Sequence, residues 1–170
     1  GDQIKATISA DGEVKTVTEI TYDGENPVRE ETDDDADGTV DFIRTTTFVG
    51  KLPMRDEEDT DADGDADRII DYAYDDQDRL EETSTDEDAD GSADEIRRTT
   101  YDADGNDIRF EIDQMADGSV DVTIESEFEN GLVTTESTDS NGDGMADSAK
   151  SFEYDSAGNL LVEFTDDDGD

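Results

Sequence analysis

The chain is built from repeats. An aromatic residue recurs every 26 or 27 positions, at Tyr22, Phe48, Tyr74, Tyr101, Phe128 and Tyr154. An acidic segment recurs in phase with it, beginning at Asp33, Asp59, Asp86, Asp113, Asp139 and Asp166. A regular period of this length indicates a repeat architecture, in which each unit is stabilised by its neighbours. We therefore predict one repeat array over residues 1–170, with units of about 1–38, 39–64, 65–91, 92–118, 119–144 and 145–170.

Each unit contains two short segments with the pattern of β-strands. In residues 68–74, Ile70, Tyr72 and Tyr74 occupy alternate positions, so they share one face of an extended segment. Residues 108–112 alternate between apolar and polar side chains in the same way. No segment has the period of an amphipathic helix. The sequence therefore predicts an all-β fold.

A tight turn follows the aromatic residue. After Tyr101, Asp102 can open a turn and Gly105 can supply the positive φ that closes it. A short turn makes the two flanking strands pair antiparallel, and the acidic segment can then return the chain to the next strand. The predicted architecture is a series of tandem β-hairpins in a twisted antiparallel meander. The alternative is a β-solenoid, in which each unit forms one coil and the strands run parallel.

The N-terminal segment departs from the repeat. Residues 4–8 and 14–22 are both β-like, and Asp11-Gly12 lies between them as a candidate turn. We interpret this segment as an additional hairpin strand before the first full unit.

The composition limits the size of any core and the range of partners. Only 30% of the 170 residues are hydrophobic and the formal net charge is −42, values typical of disordered chains. The acids nevertheless lie in spaced clusters with glycine, which indicates order that depends on cations. A surface this negative disfavours nucleic acid and anionic membranes, and no apolar run is long enough for membrane insertion.

The residue types that are absent also exclude several chemistries. The chain has no Cys and no His, which removes disulfides, thiol nucleophiles, His-based triads and the usual zinc ligands. Carboxylates are then the main reactive groups. A glycosidase needs two carboxylates in contrasting environments, whereas the acids here follow a repeated pattern. We therefore expect no enzymatic activity, with a carboxylate-based glycoside hydrolase as a distant alternative.

The acidic segments have the pattern of calcium loops. Loop 1 (residues 33–41), loop 2 (59–67) and loop 3 (86–94) each read DxDxDGxxD, and loop 4 (113–121), loop 5 (139–147) and loop 6 (from 166) are variants. Calcium takes six to eight hard oxygen ligands, which alternate carboxylates on a tightly wound loop can supply. The predicted ligands at the first, third and fifth places are Asp33, Asp35, Asp37, Asp59, Asp61, Asp63, Asp86, Asp88, Asp90, Asp113, Asp117, Asp139, Asn141, Asp143, Asp166, Asp168 and Asp170.

The variant loops predict unequal affinities. Loop 5 keeps an oxygen at each of these places, because Asn141 replaces an aspartate. Loop 4 carries the thioether of Met115 where a carboxylate belongs, so we expect its site to be weak or empty. Loop 6 is cut short at Asp170. The expected cofactor is Ca²⁺, about one ion per repeat.

The loops resemble those of known calcium-binding families. They match the EF-hand loop at places one, three, five and six, but place twelve is Arg44, Ile70 or Arg97 instead of Glu. They are more similar to the DxDxDGxxD loops of integrin α-subunit propellers and to thrombospondin type 3 repeats. That resemblance implies that the ninth-place aspartate is also a ligand: Asp41, Asp67, Asp94, Asp121 and Asp147.

The turn half of the unit has a second resemblance. The segment from Tyr101-Asp102 to Gly105 is similar to the YD repeat of RHS and teneurin-type shells, although the units here are longer. Taken together, the patterns favour a calcium-stabilised, extracellular or cell-surface structural protein, a segment of a stalk, an adhesin or a self-assembling fibre. A calcium-dependent ligand-binding module is the alternative. The acidic tail ending at Asp170 and the head Gly1-Asp2 could also complete one shared site between copies, which predicts head-to-tail filaments.

Overall fold

The computed structural model describes residues 2–10 and 13–168, and these residues form an all-β structure without helices. No helix that could cross a membrane occurs in this part of the chain. The strands are β1 (Gln3–Ala10), β2 (Glu13–Asp23), β3 (Asn26–Asp33), β4 (Phe42–Val49), β5 (Leu52–Asp59), β6 (Arg68–Tyr74), β7 (Leu80–Asp86), β8 (Glu95–Tyr101), β9 (Asp107–Asp113), β10 (Val122–Glu129), β11 (Leu132–Asp139), β12 (Ser148–Tyr154) and β13 (Leu160–Asp166).

The residues cluster into two compact units. The first comprises Gly1–Ala73 and Ser84–Ala93, and the second comprises Tyr74–Thr83 and Asp94–Asp170. In the first unit, β1 to β6 pair antiparallel in chain order. In the second, β8 to β13 do the same. The antiparallel meander is therefore confirmed, and the pairing is not that of a parallel solenoid.

The predicted strands and turns are found where the sequence indicates them. β6 covers residues 68–74, and β9 contains the alternating segment 108–112. β1 and β2 form the additional N-terminal hairpin, while the predicted Asp11-Gly12 turn lies outside the described residues. The division into six units stays a prediction.

The turn after Tyr101 shows why the Asp-to-Gly spacing works. The Asp102 carboxylate accepts the backbone N–H of Asn106 at 2.9 Å and its side-chain amide at 2.8 Å. These hydrogen bonds lower the pKa of Asp102, with the Asn106 side chain making the largest contribution. Gly105 closes the turn at φ 93° and donates its N–H to the Asp102 carbonyl at 3.2 Å. The same arrangement recurs in the turn from residue 155 to residue 159.

One of the recurring aromatic residues, Tyr101, links two neighbouring hairpins. In the second unit, the hydroxyl of Tyr101 donates to the Leu80 carbonyl at 3.0 Å. The guanidinium of Arg79 lies 4.5 Å from the centre of the same ring, a cation–π contact. These contacts give Tyr101 a structural role in the sheet.

The buried side chains are polar. No apolar side chain of the described residues is fully buried, and the buried residues are Glu58, Asp59, Thr85, Asp86 and Asp113. Most of them stand at the start of an acidic loop. A thin apolar layer is consistent with the composition, and it leaves the first aspartates of loops 2, 3 and 4 among the most buried side chains.

Candidate metal centre

The first aspartate of each loop organises the backbone around it. Asp59 is only 7% exposed, and its two carboxylate oxygens accept the N–H groups of Asp63 at 3.2 Å and Gly64 at 2.9 Å. Corresponding contacts occur at Asp33, Asp86 and Asp113. Burying a carboxylate is unfavourable unless hydrogen bonds or a cation compensate it. The two N–H donors supply part of that compensation.

The third-place and fifth-place aspartates of loop 2 also accept hydrogen bonds from the loop backbone. Asp61 accepts the N–H of Asp63 at 3.3 Å, and Asp63 accepts that of Asp65 at 3.0 Å. The backbone between them is left-handed at Ala62, with φ 55°, and at Gly64, with φ 103°. This winding brings the first-place and third-place carboxylates together, as the DxDxDG spacing predicts, but the third member of the loop 2 cluster comes from the ninth place and not from the fifth.

The ninth aspartate closes the loop. The N–H of Asp67 donates to the Glu58 carbonyl at 2.8 Å, and one Asp67 oxygen accepts the N–H and the hydroxyl of Thr60 at 2.7 and 2.5 Å. The Thr60 hydroxyl is the main cause that lowers the pKa of Asp67. Loops 1, 4 and 5 are closed by the same N–H contact. A carboxylate accepts up to about four hydrogen bonds, so these contacts leave oxygen lone pairs for a cation.

Three loops bring carboxylate oxygens close enough to hold a metal ion. In each, one oxygen from each of three aspartates lies within 4.8 Å of the others. The clusters are Asp33, Asp35 and Asp37 in loop 1, Asp59, Asp61 and Asp67 in loop 2, and Asp86, Asp88 and Asp90 in loop 3. Like charges at this separation repel, so a cation between them would be strongly favoured.

The remaining predicted ligands do not gather into such clusters within residues 2–10 and 13–168. In loop 4, Asp113 is buried while Met115 is 70% exposed. In loop 5, the amide N–H₂ of Asn141 donates to both oxygens of Asp147, at 2.9 and 3.2 Å. Asp170 and the proposed contact with Gly1 lie outside the described residues. The ligand roles of the predicted residues outside the three clusters stay predictions. These residues are Asp41, Asp63, Asp94, Asp113, Asp117, Asp121, Asp139, Asn141, Asp143, Asp147, Asp166, Asp168 and Asp170.

Sequence reasoning missed a charged row beside loop 2. Glu58 is 7% exposed and lies opposite Arg44 on one neighbouring strand and Arg68 on the other. Arg44 donates to one Glu58 oxygen, with Nε at 3.0 Å, and Arg68 donates to the other at 3.2 Å. Arg68 also donates to Glu87 at 2.9 Å. The sequence did contain a signal that could have indicated this row. Glu58 directly precedes loop 2 and Arg68 directly follows it.

The row determines the ionisation of Glu58. Burial alone would raise its pKa, but the hydrogen bonds and charges of Arg44 and Arg68 outweigh burial and lower it. A carboxyl whose pKa is lower in the folded state stabilises that state above its unfolded pKa. This contribution is lost as the pH falls through the folded pKa, below the ordinary value of 4.5.

We expect Glu58→Gln to destabilise the first unit by about 1–2 kcal/mol at pH 7, because two partly exposed arginines lose their shared partner. The difference in unfolding free energy from the native sequence should shrink as the pH falls from 5 to 3. Chemical denaturation in saturating calcium at several pH values measures both. Glu57→Gln removes the same charge from the adjacent residue and is the control. Equal effects of the two substitutions at every pH would contradict the role given to Glu58.

No family model matches the chain, and a search of curated proteins finds no match. The arguments that follow therefore rest on the geometry of the loops and the chemistry of their side chains.

Proposed function

We propose that the chain is a calcium-stabilised structural repeat protein that works outside the cell or at its surface. The observation that carries the proposal is a cluster of three aspartates in each of three successive loops, which always includes the aspartates at the first and third places. A single acidic cluster on a protein surface has little meaning. Clusters in three successive loops, each built on the first-place and third-place aspartates, indicate that the loop geometry itself is the repeated feature.

The donor set favours calcium over other cations. The clusters offer only carboxylate oxygens, and the chain has neither Cys nor His for softer metals. Magnesium requires strict octahedral geometry and retains its waters, whereas calcium accepts the irregular shell of a flexible loop. Loops without a bidentate glutamate at place twelve suit the millimolar calcium found outside cells.

The proposed role is mechanical and not catalytic. Each clustered carboxylate has a counterpart in other repeats, so none stands apart as a specialised acid or base. Bound calcium would make each loop a rigid connection between successive hairpins, which suits a segment of a stalk, an adhesin or a fibre. The resemblance to integrin propeller loops and thrombospondin type 3 repeats agrees with this proposal.

A metal-independent explanation exists and has specific support. Every aspartate of the loop 2 cluster already accepts a hydrogen bond from the loop itself. The DxDxDGxxD pattern could therefore serve only to shape the turn. The two explanations differ in the expected effect of an added carboxylate. If the loop only shapes a turn, the added carboxylate does not create calcium binding, whereas at a metal site it supplies a further ligand.

We expect Met115→Asp to raise the number of bound calcium ions or the affinity of loop 4 by about tenfold, since it restores the third-place carboxylate. Met145→Asp is the matched control. Met145 is similarly exposed, at 68% against 70%, but stands at the seventh place of loop 5, which is not one of the predicted side-chain ligand places. Isothermal titration calorimetry with calcium, and separately with magnesium, measures both variants.

The titration also decides between the two explanations. Calcium binding by the native sequence, with a gain for Met115→Asp and none for Met145→Asp, supports the proposed function. The absence of calcium binding at millimolar concentration would reject it. Equal gains in both variants would indicate diffuse attraction of cations by a highly negative surface instead of defined sites.

A further inference from the structure

The chain contains two Asn-Gly steps, and both lie in the second unit. Of the asparagines in the chain, only Asn130 and Asn141 precede a glycine. An asparagine in this position is prone to deamidation, because a following residue without a side chain lets its backbone nitrogen reach the asparagine amide carbon. Both asparagines are exposed, so access of water does not distinguish the two steps. Their hydrogen bonds distinguish them.

Asn130 and Gly131 form the two-residue turn between β10 and β11. Glu129 pairs with Leu132 across the turn, and φ is 54° at Asn130 and 77° at Gly131, as in a type I′ turn. The hydrogen bond of such a turn joins the two flanking residues, which leaves the N–H of Gly131 outside it. Within the described part of the chain, neither the Asn130 amide nor the Gly131 N–H has a hydrogen-bond partner.

Loop 5 holds the second Asn-Gly step by hydrogen bonds. The Asn141 amide donates to both oxygens of Asp147, at 2.9 and 3.2 Å, and its carbonyl oxygen accepts the N–H of Asp143 at 3.0 Å. The Gly142 N–H donates to the Asp139 carboxylate at 2.8 Å. The nitrogen that would attack and the amide that it must reach are both engaged. Reaction at this step therefore requires the loop to open first.

We propose that the folded chain deamidates at Asn130, and that loop 5 keeps Asn141 unmodified. The backbone nitrogen of Gly131 gives its proton to hydroxide and bonds to the Asn130 amide carbon. The bond from that carbon to the side-chain nitrogen breaks, and ammonia leaves with a proton from water. Water then opens the cyclic imide at either carbonyl and gives aspartate or isoaspartate. The net reaction consumes water and releases ammonia, so it needs no oxidant, metal or second protein.

The modification changes the end of the β10–β11 hairpin in two ways. Either product adds a negative charge to a chain whose net charge is already −42. Isoaspartate also moves a methylene group from the side chain into the main chain, which lengthens a turn whose geometry suits two residues of normal length. The register of a hairpin is fixed by its turn, so this hairpin loosens as the chain ages.

The test is peptide mapping by mass spectrometry during incubation of the full-length chain in calcium at mildly alkaline pH. Deamidation replaces an NH₂ group by OH, so the mass of the modified peptide rises. We expect Asn130 to react about tenfold faster than Asn141, because carboxylates hold the Asn141 amide and the Gly142 N–H. Circular dichroism checks that the chain stays folded during the incubation. In concentrated urea, where these hydrogen bonds are absent, the two rates should become similar.

A variant without the amide checks the assignment. Asn130→Gly retains a residue that tolerates positive φ, so the turn is kept while the early rise in mass should disappear. Equal rates at the two steps in the folded chain would overturn the proposal, as would a faster reaction at Asn141. A ratio of rates that is the same in urea would also overturn it, since the difference would then come from the neighbouring residues and not from the fold.

Discussion

Removal of calcium is expected to abolish most of the β-sheet signal of this protein. No apolar side chain of the described residues is buried, and within each of the three clusters the carboxylates of three aspartates, two of them exposed, repel one another. Binding at 100 times the dissociation constant stabilises a fold by about 2.7 kcal/mol per site. Three such sites would contribute about 8 kcal/mol, which is comparable with the whole stability of an ordinary domain.

Far-UV circular dichroism and thermal melting in calcium and in excess chelator measure this effect. Magnesium and sodium chloride at matched ionic strength separate specific binding from screening of the net charge. We expect recovery of the β signal with calcium only, over the concentration range in which calorimetry detects binding. A melting temperature that is the same in chelator and in calcium would show that the loops hold the fold by hydrogen bonds alone.

Gly142→Ala is expected to destabilise the second unit by about 2–4 kcal/mol. Gly142 stands at the fourth place of loop 5 with φ 71°, a conformation that strains an L-residue. A Cβ at this position would also lie 2.4 Å from the carbonyl oxygen of Val120 in loop 4. A backbone atom cannot move aside as a flexible side chain can, so one of the two loops must shift.

The other loops show that the strain alone is tolerated. Ala36, Ala62, Ala89 and Ala116 hold the fourth place of loops 1 to 4 at positive φ. Gly144→Ala is the matched control, because Gly144 has φ 84° but a Cβ added to it would meet no atom within 4 Å. We expect Gly144→Ala to lower the free energy of unfolding by only about 1–2 kcal/mol, which is the contribution of the backbone strain. Urea denaturation in calcium measures the loss of unfolding free energy for both substitutions. Equal losses would show that the contact with Val120 does not contribute to the destabilisation.

The local features of the fold could be predicted because they depend on neighbouring residues. β6 at Arg68–Tyr74 follows from two-residue alternation, and the turn at Asp102 follows from the Asp-to-Gly spacing. The clustering of Asp33, Asp35 and Asp37 follows from the DxDxDG pattern. In each case the residues that interact are within a few positions of one another, so spacing along the chain determines spacing in the structure.

The separate roles of the individual loop aspartates could not be predicted from the sequence. The sequence pattern treats all of them as ligands, whereas in loop 2 the structure gives each a hydrogen bond to the loop as well. The loop 2 cluster uses Asp67 from the ninth place, while loops 1 and 3 use the fifth-place aspartate instead. Differences of this size depend on side-chain rotamers and on small changes of φ, which the shared pattern does not contain.

The sequence accounts for the repeat, the all-β class, the hairpin turns and the position of the acidic loops, because these properties arise within one unit. Which strands lie side by side, and in which register, became known from the folded structure. That pairing places Glu58 between Arg44 and Arg68 and brings Gly142 against Val120. Such contacts join residues that are distant along the chain, so the register of the sheet determines them and the period of the sequence does not.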